Sequence, residues 1–125
     1  NRNLRAFLTL YGREFPFMDP RDLSGEKIET ALLVDTQSLI TLKGMGKNTH
    51  IRVVDHHPRR ENLPDDWQVS VDEVGATATL LTENLRDANK HLSVPQATLI
   101  LLGIYEDTGS LSLGLANCSS NYIDV

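Results

Sequence analysis

The sequence predicts an α/β domain with a mainly parallel sheet flanked by helices. Two segments, TALLVDTQS and THIRVVDHH, hold continuous apolar runs closed by polar residues, which is typical of strands buried on both faces of a parallel sheet. Further along the chain, from Gly75 to about Asn89, the apolar residues change to a helical spacing. Strands together with helices of this length indicate the α/β class, and 125 residues suffice for one domain.

The N-terminal half contains both of these strand segments. Residues 4–11 predict a short amphipathic helix that Gly12 could end, and residues 13–27 should be irregular because they hold two prolines and a glycine. The first strand is expected within residues 30–38 and the second within residues 49–57. The turn-rich sequence LKGMGKN separates them.

The C-terminal half predicts one short strand and two helices. The sequence VSV should form the third strand, and the helix after Gly75 carries one apolar face, formed by Ala76, Leu80, Leu81, Leu85 and Ala88. Pro95 suits the first turn of a further helix. The apolar segment ATLILLGIY fits a buried helix or a strand, and the strong helix formers before it favour a helix.

Composition bounds the class of function. The net charge of −5 argues against a broad electrostatic grip on nucleic acid, although a local basic patch stays compatible with it. Cys118 is the single cysteine, so an intrachain disulfide cannot form and a reducing, cytoplasmic setting is expected. No apolar stretch approaches the roughly twenty residues that span a bilayer, so no membrane association is expected.

Acidic and imidazole side chains follow the apolar runs. Asp35 closes the first run, Asp55, His56 and His57 close the second, and Asp107 closes the apolar run in LLGIYED. Ligands of open parallel sheets bind outside the carboxyl ends of the strands, so these groups could converge there. Clustered carboxylates need a cation, and oxygen ligands mixed with imidazole suit Mn²⁺ or Mg²⁺ better than Zn²⁺, because no thiolate is nearby. Two such ions can clamp a phosphate during phosphoryl transfer.

Each of these signals also has a structural explanation. Asp35 alone could cap a turn or a helix, and the sequence Asp107-Thr108-Gly109 alone is typical of a turn. Adjacent histidines are often surface residues. In an extended chain His56 and His57 point to opposite faces, so both could face one metal only if the strand has already ended.

Four segments resemble motifs of one known family. VVDHHP resembles the name-giving motif of the DHH phosphoesterase superfamily, LLVDTQS its second motif and LLGIYEDTGSL its fourth. VGATATLLTE resembles the helix start between them, and the resemblance covers residues 31–113. Members include RecJ-like exonucleases, oligoribonucleases, cyclic-dinucleotide phosphodiesterases and family II pyrophosphatases. Others join the domain to CBS domains and a tRNA nucleotidyltransferase (poly(A) polymerase-like) domain, and the N-terminal NRNLRAFLTLYG resembles that group.

The resemblance implies a role for each matching residue. Asp35 would bridge two Mn²⁺ ions, His56 would bind one of them and Asp107 would complete the coordination of a metal. Asp55 would orient an imidazole from outside the ligand set, and His57 would contact the substrate phosphate or scissile oxygen.

Two further groups could contact phosphate. Gly75, Ala76 and Thr77 open a helix whose N–H groups could hold a phosphate, or they could serve as an ordinary helix start. Arg59 and Arg60 could meet phosphate near the metals, or they could form an exposed basic pair.

The chain also departs from the family pattern. No segment matches the first motif, an Asp-x-Asp on the first strand, and we expect that strand to lie before Asn1. Residues 1–113 would then be a partial DHH domain lacking its first strand and about half of the metal ligands, and residues 114–125 a divergent tail. Weak metal affinity and little turnover are expected for this fragment. The sheet edge exposed by the missing strand could favour a homodimer.

Two functions follow as hypotheses. In the first, the parent protein is a Mn²⁺-dependent phosphoesterase that hydrolyses phosphodiester or phosphoanhydride bonds of short nucleic acids or nucleotides, with a metal-bound hydroxide as nucleophile. In the alternative, the fold serves as a non-hydrolytic regulatory or RNA-binding module of a tRNA nucleotidyltransferase-like protein.

Overall fold

The computed structural model describes residues 2–112, which form two compact units. The first unit ends at Val71 and the second begins at Asp72. Each unit is described by itself. The predicted tail, residues 114–125, and Cys118 lie outside the described residues. The predicted boundary between a domain of residues 1–113 and that tail therefore stays a prediction.

The first unit opens with helix α1, Arg2–Tyr11, which confirms the predicted amphipathic helix. Its buried residue is Phe7, whose ring centroid lies 5.3 Å from that of Tyr11 and 5.7 Å from that of Phe15. The segment predicted to be irregular holds two 3₁₀ turns, Gly12–Glu14 and Pro20–Asp22. Aromatic contacts therefore tie the helix to the start of the loop that follows it.

A parallel sheet of three strands forms the centre of the first unit. Its strands are β1 (Thr30–Val34), β2 (His50–Asp55) and β3 (Gln68–Val71), with β2 in the middle. The α/β class with a parallel sheet and the short third strand are thereby confirmed. In the register of β1 and β2, Val34 pairs with Val54, so the two strands end at the same level of the sheet.

The sheet buries one face more completely than the other. Leu33, Ile51 and Val53 form the buried cluster, covered by the partly buried Met45 and Trp67 from the loops. On β1 the alternate residues Leu32 and Val34 are 53% and 42% exposed. The expectation that the first strand is buried on both faces is therefore wrong. An edge strand whose loops cover one face keeps an apolar run without two-sided burial.

Loops connect the strands, as the turn-rich sequence LKGMGKN predicts for the first connection. The segments 35–49 and 56–67 that join the strands contain no helix, and α2 and α3 follow β3. Gly44 makes the first connection possible, because its φ of +97° is accessible to glycine without a steric penalty. Its carbonyl accepts a hydrogen bond of 2.9 Å from the Ile28 N–H.

The second unit contains helices α2 (Thr77–Asp87) and α3 (Val94–Asp107). Both predicted helices are thereby confirmed, and the ambiguous ATLILLGIY segment is helical. Ser93 caps α3 through a reciprocal capping box with Gln96. None of the helices in residues 2–112 is long and apolar enough to cross a membrane.

Candidate metal and phosphate site

The site is built where strands β1 and β2 end. Asp35 directly follows β1, and its N–H donates a hydrogen bond of 3.0 Å to the Val54 carbonyl of the neighbouring strand. Its φ is +61°, a left-handed conformation that aspartate tolerates better than most residues. This turn ends the strand. The last residue of β2, Asp55, lies one step beyond Val54 at the same edge.

Three side chains that could hold a metal converge at this edge. The ligand atoms offered by Asp35, His56 and His57 all lie within 4.8 Å of one another. The Asp35 Oδ1 atom lies 3.4 Å from the Nε2 atom of His56 and 3.9 Å from the Nδ1 atom of His57. The His56 side chain is 17% exposed, while those of Asp35 and His57 are about half exposed. The site is therefore open to a ligand on one side.

Both histidines face Asp35 because β2 has already ended. The strand stops at Asp55, and residues 56 and 57 form a bend instead of extended chain. The two imidazole rings meet edge to face with their centroids 4.3 Å apart. The alternation of side chains along a strand, which would have separated them, does not apply here.

The buried Asp55 carboxylate holds both histidines of the cluster through hydrogen bonds. Asp55 is 1% exposed. Its Oδ1 atom accepts hydrogen bonds from the backbone N–H groups of His56 and His57, at 2.9 and 3.3 Å, and lies 2.8 Å from the His57 Nδ1 atom. A carboxylate bound to one ring nitrogen of a histidine is the usual arrangement behind a metal ligand. This contact has the geometry of the predicted orienting role, which stays a prediction.

The environment of Asp55 favours its charged form. Burial is the largest single influence and raises the pKa of the carboxyl, but the hydrogen bonds from His57, Gln37 and the backbone together outweigh it. The net effect lowers the pKa of Asp55 below its ordinary value. Asp55 therefore stays ionised and keeps accepting from the His57 ring.

Gln37 is a site residue that sequence reasoning missed. It is 5% exposed, and its Nε2 group donates hydrogen bonds to Asp55 Oδ2 at 2.8 Å and to the Pro58 carbonyl at 3.2 Å. Its Oε1 atom accepts from the Arg60 N–H at 2.8 Å. One amide thus fastens the loop after β1 to the loop after β2. One sequence signal could have indicated Gln37: it is a polar residue two positions after Asp35, close enough to the end of β1 to reach the site.

The two arginines occupy different settings. Arg59 is exposed, and its predicted contact with phosphate stays a prediction. The Arg60 side chain is also exposed, but its Nη1 group donates a hydrogen bond of 2.8 Å to the Ser38 hydroxyl. Arg60 is therefore held over the loop that follows β1.

The remaining predicted site residues belong to the second unit. Helix α2 begins at Thr77, with Ala76 as its extended N-cap, and both residues are buried. Gly75 precedes them, and Asp107 is the exposed last residue of α3. The parts predicted for these four residues in binding metal or phosphate stay predictions.

The donor set of the cluster fits a divalent transition ion. The cluster offers one carboxylate oxygen, a ligand that suits Mn²⁺, and two imidazole nitrogens, ligands that suit ions such as Zn²⁺. Two ligands each about 2.1 Å from one ion lie roughly 3–4 Å apart. The separation of 3.4 Å between the Asp35 Oδ1 and His56 Nε2 atoms agrees with this spacing. The His57 Nδ1 atom is bonded to Asp55, so His57 would offer its Nε2 atom to an ion. Asp35, His56 and His57 could thus hold one ion after small adjustments.

Comparisons with known proteins relate this chain to part of two longer proteins. No protein-family model matches the chain. The chain is 30% identical over 111 residues to the A-adding tRNA nucleotidyltransferase of Geobacter sulfurreducens, a match that covers 85% of this chain and 13% of that protein. It is 33% identical over 81 residues to the A-adding tRNA nucleotidyltransferase of Aquifex aeolicus, covering 65% of this chain and 10% of that protein.

These relatives correct the first functional hypothesis. Both are named as nucleotidyltransferases, which are transferases, so the prediction of a metal-dependent phosphoesterase hydrolase is wrong. The physical reason is that acids and imidazoles at strand ends predict affinity for a cation and a phosphate. They do not determine whether water is activated there. The chain, which spans about a tenth of the length of the curated relatives it matches, is similar over most of its own length to a segment of A-adding tRNA nucleotidyltransferases.

Proposed function

We propose that this chain is a module of a tRNA nucleotidyltransferase-like protein, in which it binds RNA without hydrolysing it. One observation carries the proposal: the 30% identity to the Geobacter sulfurreducens protein extends over 85% of the chain. Because the chain corresponds to 13% of that relative, the proposal concerns RNA binding and assigns nucleotide transfer to other parts of such a protein.

The negative net charge of the chain means that RNA can bind only where positive charge is concentrated locally. With a net charge of −5 the chain repels RNA on average, so contact with a phosphate needs a local source of positive charge. We assign that source to a divalent ion, Mn²⁺ in the first place, held by Asp35, His56 and His57. When bound, the ion would supply a direct bond to a phosphate oxygen.

Two features support this assignment. The ligand atoms of the three residues lie within 4.8 Å of one another, and the buried Asp55 holds the His57 ring. The resemblance of VVDHHP and LLVDTQS to DHH motifs points to the same edge of the sheet. Binding of a second ion, and the contribution of Asp107 to metal coordination, stay predictions.

The test is binding of a fluorescently labelled tRNA in the presence of Mn²⁺, followed by anisotropy. The His56→Ala variant should weaken binding about tenfold, the loss typical when a metal site is disturbed. The matched control is His50→Ala, because His50 is an exposed histidine of the same unit at the start of β2. The control should bind tRNA like the unmodified chain, and denaturing gels should show the tRNA intact after incubation.

Two results would contradict the proposal. One is the absence of saturable tRNA binding by the unmodified chain. The other is equal weakening by His56→Ala and His50→Ala, which would show that the cluster is not the contact.

A further inference from the structure

The loops that follow β1 and β2 line an open cavity of about 560 Å³. Its lining includes Gln37, Ser38, Leu39, Arg60, Asn62 and Trp67. We propose that this cavity binds one nucleotide of an RNA strand, with the base against its apolar wall and the phosphate at Arg60. The inference rests on the proposed RNA-binding function and adds the place where a base is held.

The chemistry of the lining suits a nucleotide. Leu39, Pro64 and Trp67 give the cavity an apolar wall, while Asn62 and Arg60 supply polar groups. Single-stranded RNA is bound by aromatic and apolar surfaces that take the face of a base, combined with polar groups for its edge. The volume falls within the range of about 300–1,000 Å³ that small-molecule sites occupy.

One hydrogen bond holds the Arg60 guanidinium against the loop that follows β1, and a second holds the Arg60 backbone. The Arg60 Nη1 group donates to the Ser38 hydroxyl and the Arg60 N–H donates to Gln37 Oε1, each at 2.8 Å. A guanidinium offers several donors in a planar fork, so one contact with Ser38 leaves further N–H groups for a phosphate. Glu61 also lines the cavity, so the phosphate is expected only at the Arg60 end.

The cavity and the cluster are connected through two hydrogen bonds. Gln37, which lines the cavity, donates to Asp55 at 2.8 Å, and Asp55 binds the His57 ring at 2.8 Å. The loops that follow β1 and β2 therefore carry both sites, and we expect one RNA segment to contact both.

Trp67 provides a direct readout because it is the single tryptophan of the chain. It is partly buried and packs against the core cluster of Leu33, Ile51 and Val53 while it lines the cavity. Its fluorescence should change when a base fills the cavity. Replacement of Trp67 itself would disturb the core, so the test leaves it in place.

The experiment titrates the whole chain with a short oligoribonucleotide and with its abasic counterpart, and follows Trp67 fluorescence. The intact oligonucleotide should produce a saturable change, and the abasic one should bind about tenfold more weakly, as loss of one stacked base predicts. Arg60→Gln should weaken binding about tenfold, as loss of a charged hydrogen bond predicts. The control Arg52→Gln makes the same charge change on the exposed side of β2 and should have no effect.

The outcomes separate this inference from the proposed function. Equal binding of intact and abasic strands, or equal binding by the Arg60→Gln and Arg52→Gln variants, would overturn the nucleotide cavity while RNA binding itself stands. Failure of labelled tRNA to bind the unmodified chain at all would overturn both.

Discussion

The central strand β2 and the edge strand β1 end at the same level of the sheet but in different environments. Val53 and Asp55 of β2 are each 1% exposed. On β1, Leu32 is 53% exposed, and the side chain of Asp35, just after the strand, is 48% exposed. The two aspartates therefore differ in role: Asp55 is part of the framework, and Asp35 is available to a ligand. Substitutions on the two strands should separate stability from binding.

The largest expected effect is at Asp55. Asp55→Asn would replace an acceptor oxygen by an amide group, although His56, His57 and Gln37 all donate to this carboxylate. Loss of charged, buried hydrogen bonds should lower the free energy of unfolding by about 2–3 kcal/mol. Urea denaturation followed by circular dichroism measures it. A loss below that of the exposed Asp35→Asn variant would contradict the framework role.

The next prediction compares the loss of stability when an apolar residue of each strand is truncated. Val53→Ala should lower the free energy of unfolding by about 2 kcal/mol, because two buried methyl groups are lost and a cavity remains. Leu32→Ala should cost roughly 0.5 kcal/mol, since half of this side chain is exposed. Parallel urea titrations test the pair. Equal losses would show that both faces of the sheet are buried.

A smaller effect is expected at Gln37, which fastens the two strand ends together. Gln37→Leu would leave the Arg60 N–H and one Asp55 oxygen without this amide, costing about 1–2 kcal/mol. The control Ser38→Ala removes one exposed hydrogen bond and should cost under about 0.5 kcal/mol. Thermal unfolding of both variants measures the difference. If Ser38→Ala cost as much as Gln37→Leu, the amide clamp would not be the stabilising contact.

The smallest change in stability should come from Asp35. Asp35→Asn keeps a side chain that tolerates the left-handed backbone, so the free energy of unfolding should change by less than about 0.5 kcal/mol. Mn²⁺ affinity should nevertheless fall at least about tenfold. Electron paramagnetic resonance of free Mn²⁺ measures the affinity. Unchanged Mn²⁺ binding would remove Asp35 from the ligand set.

Much of this fold follows from local sequence signals. Apolar runs place β1 and β2, helical spacing places α2, and the residues around Pro95 place α3. The exposed side of β1 could not be predicted, because an apolar run does not reveal whether a strand is central or at an edge. The order of strands and helices was predicted, but the contacts that hold the long first connection could not be, since they join residues distant in sequence such as Thr49 and Ile28.

The candidate site was predictable in part for the same reason. Asp35, His56 and His57 were indicated by their positions after apolar runs, and the structure brings these three together. The place of Gln37 depends on hydrogen bonds to residues about twenty positions away, which no local pattern contains. Hydrolysis was predicted wrongly because ligand types at strand ends do not determine the fate of a bound phosphate.

The central claim is that a divalent ion at Asp35, His56 and His57 links this chain to RNA. Its most direct test is the dissociation constant of labelled tRNA, measured with Mn²⁺ and again with EDTA, for the unmodified chain and for Asp35→Asn. We predict that Mn²⁺ strengthens tRNA binding by the unmodified chain at least about tenfold and leaves tRNA binding by the variant almost unchanged. The same response to Mn²⁺ in both proteins would contradict it.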